Sequence, residues 1–408
     1  MRNSPVSITA CAFAMHCILG PSQEIGELSI VGLNISERVQ IRENSRAAAY
    51  MWAAVTNAGW NSLALVTTLI QSATYHAERT YDYSLMGYSH VDLMFFRTFY
   101  SVELNSFLAD LRHQMDAVFV RHKTERVDIM VCLWESYEAL SLLVDERPAT
   151  PLYTHLASST EIDQYPAIFA LFIRYHQMIV YYYLDDPHAL RLLDELEPMV
   201  QANMDGVVPF FDFYFFAAMV LVREATRHPH DEVLQQRTTT RLSKSLEKMR
   251  HFASIHPGHW KPRYLILQAE HLRRTQPSSL EALKWYQDAR RGAEQERSLH
   301  VAALAGERAY ELMVEEDLWG QQGCLEEVRE AYMAWGAMAK VRRLTTRYQQ
   351  EKANSSLSTS FEISLPQTVL HYISETVQRE LDGSGHVLFF CEVCDGRMDS
   401  WDECCTNE

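Results

Sequence analysis

Residues 325–348 read LEEVREAYMAWGAMAKVRRLTTRY. Leu325, Val328, Tyr332 and Trp335 recur at the three- and four-residue steps that place side chains on one face of a helix. After Gly336 the pattern resumes at Ala337, Val341, Leu344 and Tyr348. Each helix carries a single apolar stripe, which water leaves unsatisfied, so the pair has to stack on neighbours. Leu242, Leu246, Met249 and Phe252 make another such face, and almost no segment sustains a period of two.

Break signals fall at short intervals: Gly20-Pro21, Gly59, Gly87, 148–151, Asp186-Pro187, Asp205-Gly206, His228-Pro229, Pro257-Gly258, Pro277-Ser278, and Gly320 with Gly323. Helices of about 15–20 residues, two per unit, give a repeat of roughly 35–45 residues. The expected fold is all-α, an α-solenoid of antiparallel helix pairs. Asp163 ahead of Pro166 predicts the start of an aromatic-rich helix that ends at Leu184, and Ser278 and Ser279 ahead of Glu281 predict another. The apolar run 207–222 holds Pro209 and Asp212 and is shorter than the ~20 residues of a membrane span. It reads as a helix buried on all sides. The run 6–19 behind Met1 and Arg2 mimics an export signal, but His16 lies inside it and Pro21 stands where cleavage would fall.

With 408 residues, 47% of them hydrophobic, the chain can bury a large core. Lys plus Arg number 37 against 53 Asp plus Glu, a net charge of −16 that repels phosphate backbones and anionic membrane surfaces. No nucleic acid and no membrane is expected as a partner; a protein offering basic segments is, and the oligomeric state is left open. Cys11, Cys17, Cys132 and Cys324 stand singly among apolar residues, as reduced core thiols of a cytoplasmic protein do.

The helical period fails near the C-terminus. The expected organisation is a helical-repeat domain over 1–350, a polar linker over 351–364 and a tail over 365–408. The tail shows an amphipathic helix at 365–381, a glycine turn at 383–385 and an alternating strand at 386–393, a short α/β remnant.

Residues with chemical potential mostly favour plain readings. Cys391, Cys394, Cys404 and Cys405 offer four thiols, but a vicinal pair is poorly spaced for a second zinc knuckle, and metal binding there is left open. Asp185-Asp186 evokes a magnesium-binding pair, yet position 189 is Ala189 and Pro187 breaks the helix that would present both carboxylates. His256 and His259 read as a helix-capping turn, as do His228 and His230. Trp335 reads as a core anchor. Lys340, Arg342, Arg343 and Arg347 read as a solvated helix face. No catalytic, cofactor-binding or metal-binding residue is assigned, and no cofactor is expected.

The strings AALAGERAY at 302–310 and EAYMAWGAMAKV at 330–341 resemble the end of the tetratricopeptide-like helical-repeat region in large multidomain sensor kinases. In that family a protein-kinase-like domain and an AAA-type ATPase precede the repeats, and a GAF domain and a histidine kinase follow. The resemblance extends through 193–205, 208–211 and 281–293, more weakly through 81–111, and covers 4–348. Residues 369–398 look like the first helix and strand of a GAF domain. No Gly-x-x-x-x-Gly-Lys-Ser/Thr, His-Arg-Asp or Asp-Phe-Gly string occurs, so the family's catalytic roles do not carry over. The resemblance implies a non-enzymatic connector module in signalling, a piece of a longer sensor or a degenerate copy. The alternatives are a helical lyase or cyclase, and a helical body bearing a small C-terminal zinc site.

Overall fold

The structure, a computed structural model, describes residues 5–398 apart from 20–21, 40–41, 59–60, 101, 117–125, 146–165, 204–208, 277–279, 359–388 and 392–395. Among these residues there are sixteen helices. They are α1 (Pro5–Leu19), α2 (Gln23–Arg38), α3 (Glu43–Asn57), α4 (Leu63–Arg79), α5 (Tyr83–Phe99), α6 (Leu104–Asp116), α7 (Val127–Val144) and α8 (Ala167–Tyr183). There follow α9 (His188–Asn203), α10 (Pro209–Arg227), α11 (Glu232–Ile255), α12 (Pro257–Thr275), α13 (Glu281–Gln295), α14 (Leu299–Glu315), α15 (Gln321–Trp335) and α16 (Met338–Ser358). The chain divides into two compact units, Met1–Thr345 and Thr346–Glu408.

In the first unit consecutive helices from α1 to α15 pack on one another, and α10, α12 and α14 also touch in series, so the fold is the all-α solenoid that the periodicity predicts. The outer helices bury one stripe each: Ala282, Tyr286, Ala289 and Ala293 on α13, and Leu325, Val328, Tyr332 and Trp335 on α15. Two inner helices are enclosed on every side. Phe169 to Tyr183 of α8 are all buried, and so are Asp212 to Ala225 of α10. Among the described residues no helix is long and apolar enough to cross a membrane.

The repeat length is written in the polar contacts between neighbouring units. Tyr175 donates to Asp212 across 37 positions, Arg308 to Glu270 across 38, Arg274 to Gln235 across 39, Arg237 to Glu197 across 40 and Arg273 to Glu315 across 42. Separations close to one repeat are what a stack of like units produces, because each side chain meets a similar level of the next.

Five helices end in the same device, in which the chain turns through a left-handed residue. The residue after it donates to a carbonyl five positions back: Asp82 N to Ala77 O, Asp186 N to Tyr181 O, Ser298 N to Ala293 O, Leu318 N to Met313 O and Ala337 N to Tyr332 O. The left-handed residues are Tyr81, Asp185, Arg297, Asp317 and Gly336, with φ of 57°, 54°, 56°, 49° and 89°. Four of the five lack glycine's freedom; Pro187 and Gly320 mark the turns at Asp185 and Asp317, while those at Tyr81 and Arg297 escape a search for Gly and Pro.

Several expectations are corrected. Gly87 breaks nothing: it lies inside α5, where a Cβ would stand 2.9 Å from two Ile129 side-chain atoms, so glycine serves the approach of α7. Of the single cysteines only Cys132 is a core thiol; Cys11 and Cys17 are exposed and Cys324 half-buried. The helix α16 continues to Ser358, into the stretch read as a linker, since Gln349, Glu351, Lys352 and Ala353 favour helix and no Gly or Pro stops it. The strand expected at 386–393 corresponds to β1 (Phe389–Cys391), which pairs antiparallel with β2 (Gly396–Met398). Asp163, Ser278, Ser279, the helix at 365–381, Cys394, Cys404 and Cys405 lie outside the described residues.

A non-glycine residue in the left-handed region costs about 1–2 kcal/mol, partly offset by the greater freedom of an unfolded glycine. Tyr81→Gly and Arg297→Gly are therefore expected to stabilise by about 0.5–1 kcal/mol in thermal unfolding. Asp185→Gly, at the same backbone conformation, is expected to destabilise, because its carboxylate is engaged as described next. Equal responses at all three positions would contradict this.

Candidate functional site: a buried charge network

Lys340 is not on a solvated face. On the first turn of α16 its side chain is 0% exposed, with Nζ 2.6 Å from Glu307 Oε1 and 2.9 Å from Asp185 Oδ2. Tyr332 donates its hydroxyl to Glu307 Oε2 at 2.5 Å. Arg223 reaches Asp185 Oδ1 at 2.7 Å, donates to the Tyr182 carbonyl, and lays its guanidinium 4.0 Å from the Tyr182 ring centroid. Four backbone features deliver these groups. Asp185 is the left-handed residue closing α8, Glu307 sits midway along α14, Arg223 lies in α10, and Gly336 turns the chain so that α16 enters the interior. A Cβ on Gly336 would stand 2.6 Å from Glu103 Oε1, so the α5–α6 turn can close against it. Burial raises the Asp185 carboxyl, but Arg223 and Lys340 outweigh it and hold the group well below the usual carboxylate range. The neighbouring Arg343 donates to the Leu184 carbonyl, whereas Arg342 and Arg347 are exposed.

Two further buried pairs flank this network. Arg263 Nε donates to Asp212 Oδ1 at 2.6 Å, with side chains 0% and 2% exposed, and Tyr175 donates to the other Asp212 oxygen at 3.2 Å. Arg308 grips Glu270 through two bonds, Nε to Oε1 at 2.5 Å and Nη2 to Oε2 at 3.0 Å, and also donates to Glu311. Burial pushes Glu270 up, and Arg308 with Arg273 brings it below the ordinary value. Aromatic rings fill the space between: Tyr183 lies 4.9 Å from Trp335, and His300 lies 5.6 Å from Trp335 and 6.2 Å from Phe216. Trp335 is thus the core anchor its spacing implies.

The other singled-out residues fall in separate places. Asp185 and Asp186 diverge: Asp186 accepts from the His188 backbone N at 2.9 Å and caps α9. His256 ends α11 and caps α12, its Nδ1 accepting from His259 N at 3.3 Å. His259 is buried against Tyr100, 5.0 Å between centroids, and burial, then Arg263, holds its imidazole neutral. Both border a cleft of about 620 Å³ among the inter-helix turns, with Glu103 and Arg297. Glu103 is committed there, accepting from Asn105 N and Ser106 N at the start of α6. His228 and His230 are exposed in a turn. Among the described residues no three His, Cys, Asp or Glu side chains converge as metal ligands do.

The paired acids and bases of the interior were not foreseen. A signal was present: Asp212, Arg263, Glu270, Glu307 and Arg308 interrupt apolar stripes, and a charge there needs an opposite charge from a neighbouring unit. What this arrangement does chemically is fix positions, because each carboxylate is already held by a cation, Glu307, Asp212 and Glu270 away from water and Asp185 half-buried.

Another buried group yields a pH test. His176 is 0% exposed, with Nδ1 3.0 Å from Ser136 Oγ, and burial lowers it from 6.5 to about 3. The native ring stays neutral while the unfolded chain takes up a proton below 6.5, so its contribution is present above that pH and lost as pH falls. The stability gap between the wild type and His176→Gln is expected to narrow by about 1.4 kcal/mol per unit below that point in urea unfolding. Parallel profiles would contradict it.

Comparison with protein-family models, with curated proteins and with solved structures finds no match to this chain.

Proposed function

We propose that the chain is a non-enzymatic connector or interaction module, related to the helical-repeat region of multidomain sensor kinases. One observation carries this reading. The two strings that bear the resemblance, at 302–310 and 330–341, meet at Glu307 and Lys340. Trp335 and Gly336 bring α16 inward, Ala337 and Ala339 are fully buried, and Lys340 closes the pair. What is most family-like in the sequence is therefore packing machinery for stacked repeats, which supports a scaffold rather than a catalyst.

The enzyme alternative fits less well. A helical cyclase needs carboxylates converging on a cavity, and Asp185 and Asp186 are directed to Lys340 with Arg223 and to the α9 terminus respectively. A net charge of −16 favours a partner with basic segments, by an attraction that salt screens.

Purified chain incubated with magnesium and ATP is expected to give no hydrolysis above buffer, since the sequence holds no Gly-x-x-x-x-Gly-Lys-Ser/Thr string to bring amides and a lysine to the β- and γ-phosphates. Hydrolysis that a point substitution in this chain abolishes would overturn the reading.

A further inference from the structure

The described residues that follow α10 and α14, and Leu280 ahead of α13, lie along one edge of the first unit, because α10, α12 and α14 pack in series and each packs on the helix that follows it. Side chains tie the turns together: Arg274 donates to Gln235 at 2.6 Å, and Arg273 pairs with Glu315. At each turn one large apolar side chain points to water: Val233 at 80% exposure, Leu280 at 56% and Trp319 at 98%. Exposed acids accompany them, namely Asp231 and Glu232 at the first turn and Glu316 and Asp317 at the third. The nearby arginines are already engaged, Arg227 with Glu224 and Arg273 with Glu315.

The third turn breaks three rules of local stability at once. Glu315, Glu316 and Asp317 sit at the C-terminus of α14, where the carbonyl ends repel negative charge. Asp317 occupies the left-handed region with φ 49°. Trp319 leaves nearly its whole indole in water. Glu315 is held by Arg273, and Asp317 closes the same turn that ends four other helices, but nothing in the packing of the unit requires an indole at 319 or an acid at 316, and departures of this kind collect where a surface is used.

Resting on the connector reading, we propose that this edge docks an arginine-bearing basic segment of a partner protein. A guanidinium stacks on the Trp319 indole, with its charge matched by Glu316 and Asp317, and the segment's apolar side chains cover Leu280 and Val233. Indole is the strongest cation–π acceptor among side chains, and arginine is the cation that stacks on it. Packed helices lie about 8–10 Å apart, so three turns span on the order of 20 Å, a length that six or so extended residues cover.

The test uses the full chain and a fluorescein-labelled decapeptide alternating Arg and Leu, with a Glu/Leu decapeptide as counterpart, read by anisotropy at low and high salt. The Arg/Leu peptide is expected to bind, more weakly as salt rises. Trp319→Ala is expected to weaken binding at least tenfold without changing the melting temperature, and the Glu316→Lys, Asp317→Lys double variant to weaken it at low salt. No binding, binding indifferent to Trp319→Ala, or preference for the Glu/Leu peptide overturns the proposal. Those outcomes leave the connector reading standing, which falls instead if the same preparation hydrolyses ATP.

Discussion

An ammonium group without water is the constraint around which the first unit is arranged. Lys340 has no exposed surface, and removing such a charge from water costs several kcal/mol unless anions are delivered to the same spot. Glu307 and Asp185 are those anions, and Asp185 lies 155 positions earlier in the chain. These charges meet because α8, α10, α14 and α16 are held in this register. The pair therefore selects an arrangement more than it adds net stability, since apolar replacements of buried pairs are often neutral.

The same logic extends along the stack. Asp212 with Arg263 and Glu270 with Arg308 are also dry, paired and set by neighbouring repeats. Between them lie Tyr183, His300, Phe216 and Trp335, large rings whose packing leaves little freedom for the charges to move. The outer helices contribute a single stripe each and can vary elsewhere, which leaves turns such as 315–319 free to carry features that folding does not need.

How legible was this in the sequence? The stripes were read correctly, because Leu242, Leu246, Met249 and Phe252 and the Leu325–Trp335 set depend only on helical period, and all are buried. Breaks at Asp186-Pro187, His228-Pro229 and Pro257-Gly258 coincide with helix ends for the same local reason. The turns at Tyr81 and Arg297 were not visible, since tertiary packing imposes a left-handed conformation on residues that do not seek it, whereas the turn at Asp317 shows in the sequence only through Gly320. Lys340 was misread because burial is a property of the stack: a lysine beside Arg342 and Arg343 looks solvated until Gly336 is seen to turn α16 inward. Gly87 was misread for the opposite reason, its missing side chain serving a neighbour across the core and not a turn.

The most direct measurement is a double-mutant cycle in urea on Glu307→Gln and Lys340→Met. If the interior depends on this pair, each single substitution leaves a buried partner short of its opposite charge and costs about 3–5 kcal/mol, while the double falls well short of the sum, with a coupling of at least about 1 kcal/mol. Additive losses below about 1 kcal/mol each, the behaviour of a solvated surface pair, would contradict the account.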